Sequence, residues 1–139
     1  MEEVVFPKSE DLGPRAWGSE TLLALVSQKY SVKRLEIRAG HKGGLQFHRL
    51  KDEVAVVISG HMIVRFDDGS GSIQERTVGP GDVVHFPPGL VHQEEAITDC
   101  VIIEASTPHF NDRVRVEEQY GFESSGGLAS TELPDIIER

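Results

Sequence analysis

Two imidazoles, a carboxylate and an amide oxygen stand in this sequence at spacings that could bring them to one point. In Gly44-Leu45-Gln46-Phe47-His48-Arg49-Leu50-Lys51-Asp52-Glu53, Gln46 and His48 are two residues apart. On a strand that spacing sends both side chains to one face, with Cα atoms about 6.6 Å apart. Glu53 follows His48 by an odd step and would face away on an unbroken strand, so a turn between Arg49 and Asp52 is required to bring it back. In Gly81-Asp82-Val83-Val84-His85-Phe86-Pro87-Pro88-Gly89-Leu90-Val91-His92, His92 follows a Pro-Pro-Gly turn and opens the next strand. Gathered together, Gln46, His48, Glu53 and His92 make a borderline site for a divalent cation, with coordination positions left for substrate oxygens. Zinc is the first expectation, and iron, manganese, cobalt and nickel are chemically acceptable. A single strand histidine is more often an ordinary hydrogen-bonded residue; two at these spacings, inside an intact glycine and proline frame, point to a shared site.

The elements that must position these groups are short apolar runs of strand length: Tyr30 to Arg38, Glu53 to Ser59, Met62 to Phe66, Asp82 to Pro87 and Cys100 to Ala105. Glycine and proline dipeptides punctuate them, and Asp68-Gly69 reads as a hairpin loop between Met62–Phe66 and Ser72–Thr77. The pattern predicts a β-sandwich or barrel. Ser19 to Ser27 is expected to be a further strand, with Glu2 to Leu25 wrapping the sheet. Leu35 and Ile37 share one face of their strand, and Lys33 falls on that same apolar side, where a lysine requires an anionic partner. Val54-Ala55-Val56-Val57-Ile58 is apolar on both faces, which predicts cover from outside by another sheet segment or a second subunit.

These two segments resemble the motifs of the cupins: a glycine-led His-x-His-x4-Glu with a closing glycine, here Gly60, and Gly-Asp-x4-Pro-x-Gly-x2-His. The resemblance implies an all-β fold, the cupin double-stranded β-helix or jelly-roll barrel, spanning 1–121, with a weakly specified tail over 122–139. Gln46 stands where most cupins have their first histidine. Gln-x-His is similar to the pattern of mannose-6-phosphate isomerases, in particular the isomerase domain of the bifunctional mannose-phosphate isomerase/guanylyltransferases. Three further stretches resemble that domain: Pro14-Arg15-Ala16-Trp17-Gly18-Ser19-Glu20, Tyr30-Ser31-Val32-Lys33-Arg34-Leu35 and Asn111-Asp112-Arg113-Val114-Arg115-Val116-Glu117-Glu118-Gln119-Tyr120-Gly121. Arg49 and Leu50 depart from it, since additional histidines usually stand there.

What the resemblance implies is a metal-dependent isomerase or epimerase acting on a sugar or sugar phosphate, with Gln46, His48, Glu53 and His92 as metal ligands. These 139 residues hold no nucleotidyltransferase-like stretch, so no guanylyltransferase activity is expected of them. Moving a proton between neighbouring carbons requires a group of shifted pKa beside the metal, for which Lys51, His85 and Lys33 are the candidates. A phosphate requires cationic donors; Arg115, on the family's closing arginine, and Lys33 lead a pool that includes Arg49 and Lys51. His41, His61 and His109 read as surface residues, and Trp17 as a packing residue. Two alternatives remain: a metal cupin of another class such as a dioxygenase, and a carbohydrate-binding cupin without catalysis.

Composition sets the outer bounds. Lys+Arg 14 against Asp+Glu 23 gives a net charge of −9, which disfavours nucleic acid and anionic membranes as partners. Cys100 is the single cysteine, so an intrachain disulfide is excluded and a reducing, cytoplasmic location is expected. No apolar stretch reaches membrane-spanning length. A homodimer is the expected assembly.

Overall fold

The computed structural model describes residues 4–110 and 112–123. Eleven strands run through them: β1 (Glu10–Arg15), β2 (Gly18–Val26), β3 (Tyr30–Ile37), β4 (Gln46–His48), β5 (Glu53–Ser59), β6 (Met62–Asp67), β7 (Ile73–Val78), β8 (Val83–Phe86), β9 (His92–Ala96), β10 (Cys100–Ser106) and β11 (Arg113–Arg115). A 3₁₀ turn follows at Glu117–Tyr120. The fold is all-β, a jelly roll of two antiparallel sheets. The larger has the order β1-β2-β3-β10-β5-β8 and the smaller β11-β4-β9-β6-β7.

Alternation along each strand decides which side chains the sheets enclose. Ile37, Ala55, Val57, Phe86 and Ile102 of the larger sheet face Met62, Val64, Val78 and Ala96 of the smaller, and together with Trp17 and Cys100 they form the core. Hydrophobic burial of this kind is worth about 25 cal/mol per Å² of apolar surface. Trp17 is 3% exposed and packs in this core, as expected. The predicted hairpin at Asp68-Gly69 joins β6 to β7, where Asp67 Oδ1 accepts the N–H groups of Gly69 and Gly71.

The N-terminal segment is built into the larger sheet, and the strand expected over Ser19 to Ser27 is β2. Glu10–Arg15 and Gly18–Val26 are hydrogen-bonded into the larger sheet, β2 against β3 and β1 against β2. As the outermost strand β1 tolerates Pro14, because an edge position leaves one row of its backbone groups outside the ladder. The expected tail lies outside the described residues from 124 onward. No described helix is long and apolar enough to cross a membrane.

Candidate metal centre and cavity

The required turn is present. After β4 the chain leaves the smaller sheet, turns through residues 49–52 and enters β5 of the larger sheet at Glu53. Gln46, on β4, is also the cross-strand partner of His92 on β9. Four sequence positions from three strands therefore converge. One ligand atom each from His48, Glu53 and His92 lie within 4.8 Å of one another. His48 Nε2 and His92 Nε2 are each 3.7 Å from Glu53 Oε1.

Hydrogen bonds settle which ring nitrogens carry protons. His92 Nδ1 is 3.0 Å from the carbonyl oxygen of Leu90, which can only accept, so Nδ1 is the protonated nitrogen and Nε2 presents a lone pair. His48 Nδ1 lies 2.9 Å from Asp112 Oδ1, and the carboxylate acts as acceptor in the same way. Burial lowers both imidazoles: His92 to about 4, against the hydrogen bond to Leu90, and His48 below its ordinary value with further help from the Lys51 cation. Two neutral rings thus aim lone pairs at a carboxylate oxygen. The arrangement is repulsive unless a cation or a proton lies between them.

The remaining atoms have the same character. Gln46 Oε1 is buried and has no hydrogen-bond partner among the described residues, an acceptor of the kind a cation satisfies. Burial first and the Glu104 charge second raise the Glu53 carboxyl well above its ordinary range, the penalty on a buried carboxylate that a bound cation would offset. The donor set fits a divalent metal, with Gln46, His48, Glu53 and His92 as the residues that would hold it.

Around this centre lies a cavity lined, among others, by Glu20, Lys33, Glu94, Glu104, His109 and Arg113. Alternating charges cross the inner face of the larger sheet. Lys33 Nζ is 2.9 Å from Glu20 Oε1, supplying the anionic partner its burial demands, and stands over the ring of Phe110. Lys51 Nζ lies 3.1 Å from both Glu53 Oε2 and Glu104 Oε1. Burial alone would push the Lys51 ammonium down; the Glu104 and Glu53 carboxylates outweigh it, and the pKa rises. Glu104 in turn is lowered despite its burial, chiefly by Lys51.

Two of the residues singled out from the sequence stand elsewhere. His85 shares the outer face of β8 with Val83, because Phe86 takes the inner face; it is more than half exposed and its Nε2 is 2.7 Å from Asp52 Oδ1. It does not line the cavity. Arg115 lies over Gly44 with its Nε 3.6 Å from Glu117 Oε1, and the arginine that lines the cavity is Arg113, the cross-strand partner of His48. His109, expected at the surface, also lines the cavity.

Glu94 was not anticipated. It occupies β9 two residues beyond His92, hence on the same inward face, and its side chain has no hydrogen bond or ion pair among the described residues. Burial, then the Glu104 charge, raises it to about 8. The signal was its even step from His92 in a strand whose sequence, His92-Gln93-Glu94-Glu95-Ala96, lacks apolar alternation.

Residues 33–106 match the cupin domain family, more than half of the chain. The chain belongs to the cupin family. Its fold is similar to those of several solved cupin-like structures. The capsular polysaccharide assembling protein CapF from Staphylococcus aureus aligns with a TM-score of 0.68 at 26% identity, over 77% of this cupin and 32% of that chain. Oxalate decarboxylase from Bacillus subtilis aligns with a TM-score of 0.67 at 20% identity, over 96% and 44%. KdgF from Halomonas sp. gives 0.63 at 18%, over 74% and 91%. This cupin therefore spans about a third of the CapF chain, and at the lower identities the likeness is one of fold. No curated protein matches its sequence.

Proposed function

We propose that this cupin is a metal-dependent isomerase or epimerase of a sugar or sugar phosphate, with mannose 6-phosphate or a related hexose phosphate as substrate class. The observation that carries the reading is the position of the candidate metal ligands in a cavity that also presents cations, Lys33 and Arg113, and Glu94, a carboxyl with no side-chain hydrogen bond or ion pair among the described residues. The Gln-x-His pattern supports it from the sequence, and CapF, named for capsular polysaccharide assembly, supports a carbohydrate context.

A bound divalent metal, with zinc as first choice, would supply a Lewis acid for a substrate carbonyl and hydroxyl. Gln46, His48, Glu53 and His92 would hold it. Arg113 and Lys33 supply donors for the phosphate or hydroxyl groups, in place of Arg115. Lys33 and Lys51 are engaged by carboxylates and His85 is outside, so the proton between adjacent carbons is assigned by position to Glu94. The expected homodimer belongs to the same reading. Its support is the apolar outer face of β5 and β8, where Ile58 and Val83 stand 52% and 61% exposed.

Elemental analysis of the purified protein, followed by incubation of the metal-loaded protein with mannose 6-phosphate in deuterated water, tests the reading. The expected result is one metal per chain and deuterium incorporated beside the carbonyl carbon, with metal lost in His48→Ala and His92→Ala. Full metal occupancy in His48→Ala overturns the ligand assignment. Dioxygen consumption, or sugar binding without exchange, overturns the isomerase reading in favour of the other two classes.

A further inference from the structure

We infer that Asp112 is a positioning residue of the metal centre, one that lies beyond the stretch matching the cupin family. The inference rests on the reading of His48 as a metal ligand. Three short contacts converge on the Asp112 carboxylate. Oδ1 is 2.9 Å from His48 Nδ1, while Oδ2 accepts the backbone N–H groups of Leu50 and Lys51, each at 2.8 Å. A single side chain thereby fixes the proton on the outer nitrogen of His48, leaves Nε2 bare toward Glu53, and ties down the turn that carries Lys51 to its place against Glu53. Asp112 precedes β11, which pairs with β4 so that Arg113 lies opposite His48. The strand pairing delivers the carboxylate to the back of the imidazole.

Replacing the carboxylate by the isosteric amide makes the role testable. In Asp112→Asn the two backbone donors claim the one remaining oxygen, because an NH₂ group cannot accept from them. The amide NH₂ is then turned toward His48 Nδ1, which must become an acceptor. The imidazole proton moves to Nε2, on the side of the metal. The backbone bonds that hold the turn are kept, so the fold is retained while the tautomer is inverted.

The experiment uses the full chain. Long-range ¹H–¹⁵N correlation of the metal-free protein reads the His48 tautomer, and Co²⁺ titration followed by its visible spectrum reads metal affinity, in the native protein and in Asp112→Asn. The expected result is an Nδ1–H tautomer in the native protein, an Nε2–H tautomer in the variant, and Co²⁺ affinity lowered about 10- to 100-fold. His48 remaining Nδ1–H in a folded Asp112→Asn, or unchanged Co²⁺ affinity there, overturns the inference. Should the amide variant fail to fold, Asp112→Glu decides the matter, since it restores an acceptor-only group: the Nδ1–H tautomer is expected, and an Nε2–H tautomer overturns the assignment. Failure of the native protein to bind Co²⁺ overturns the metal reading separately, and the tautomer measurement still judges Asp112.

Discussion

Lys51 is held between two carboxylates, 3.1 Å from an oxygen of each, and these contacts define its work. An ammonium so placed keeps its proton and leaves Glu53 Oε1 as the oxygen facing His48 and His92. It is a poor acceptor for a substrate proton. Lys51→Met keeps most of the volume and removes the charge, which leaves Glu53 and Glu104 facing each other inside the protein. Removing one member of a buried charge set costs about 3–5 kcal/mol. Urea unfolding of the metal-free variant is expected to show a loss of that size, and a bound divalent cation to recover part of it. An unchanged midpoint would mean that the two carboxyls are already satisfied without the lysine.

At the scale of elements, the strands that were legible are those that are apolar on both faces, as β5 is, or whose side chains alternate, as on β3. Glu53–Ser59 is β5 as predicted, and Leu35, Ile37 and the inward Lys33 follow their parity on β3. The turn through residues 49–52 was legible as well, because the odd step from His48 to Glu53 demanded it. β1 and β11, and the course of β9 beyond His92, were harder to read for a common reason. Their neighbours supply the hydrogen bonds, and their sequences, such as Glu10 to Arg15 with Gly13 and Pro14, carry little apolar alternation. The resemblance singled out Arg115 by its place in a motif; the register of β11 with β4, a tertiary fact, is what sets Arg113 opposite His48 and along the cavity. The closing glycine of the first motif had a physical cause that only the fold displays. Gly60 has φ +85°, and a Cβ there would collide with the backbone carbonyl of Asp99 and with Cys100. Gly60→Ala combines left-handed strain with a backbone clash, and a loss of about 3 kcal/mol or more is expected in chemical denaturation. A loss under about 1 kcal/mol would show that the β5–β6 turn can rearrange freely.

The whole molecule encloses opposing titrations, and their balance sets how its stability follows pH. Glu94 has a folded pKa of about 8 against an ordinary 4.5, so the folded state holds its proton longer. Its contribution is full below pH 4.5 and is lost as pH rises toward 8. His92 runs the other way. Its folded pKa of about 4 lies below the ordinary 6.5, so its contribution is full above pH 6.5 and is lost as pH falls toward 4. Between pH 4.5 and 6.5 the two slopes oppose each other. Above 6.5 the histidine is silent and Glu94 still titrates, with the raised Glu53 acting in the same direction. One group titrating alone between pH 6.5 and 8 changes stability by about 2 kcal/mol. The metal-free protein is therefore expected to be less stable at pH 8 than at pH 6.5, by denaturant unfolding at the two pH values. In Glu94→Gln, which leaves every metal ligand in place, the decline should shrink by about that amount. An equal decline in the variant would place the Glu94 carboxyl in contact with water instead of in the interior, and with it would fall the reason for giving this residue the proton in the proposed reaction.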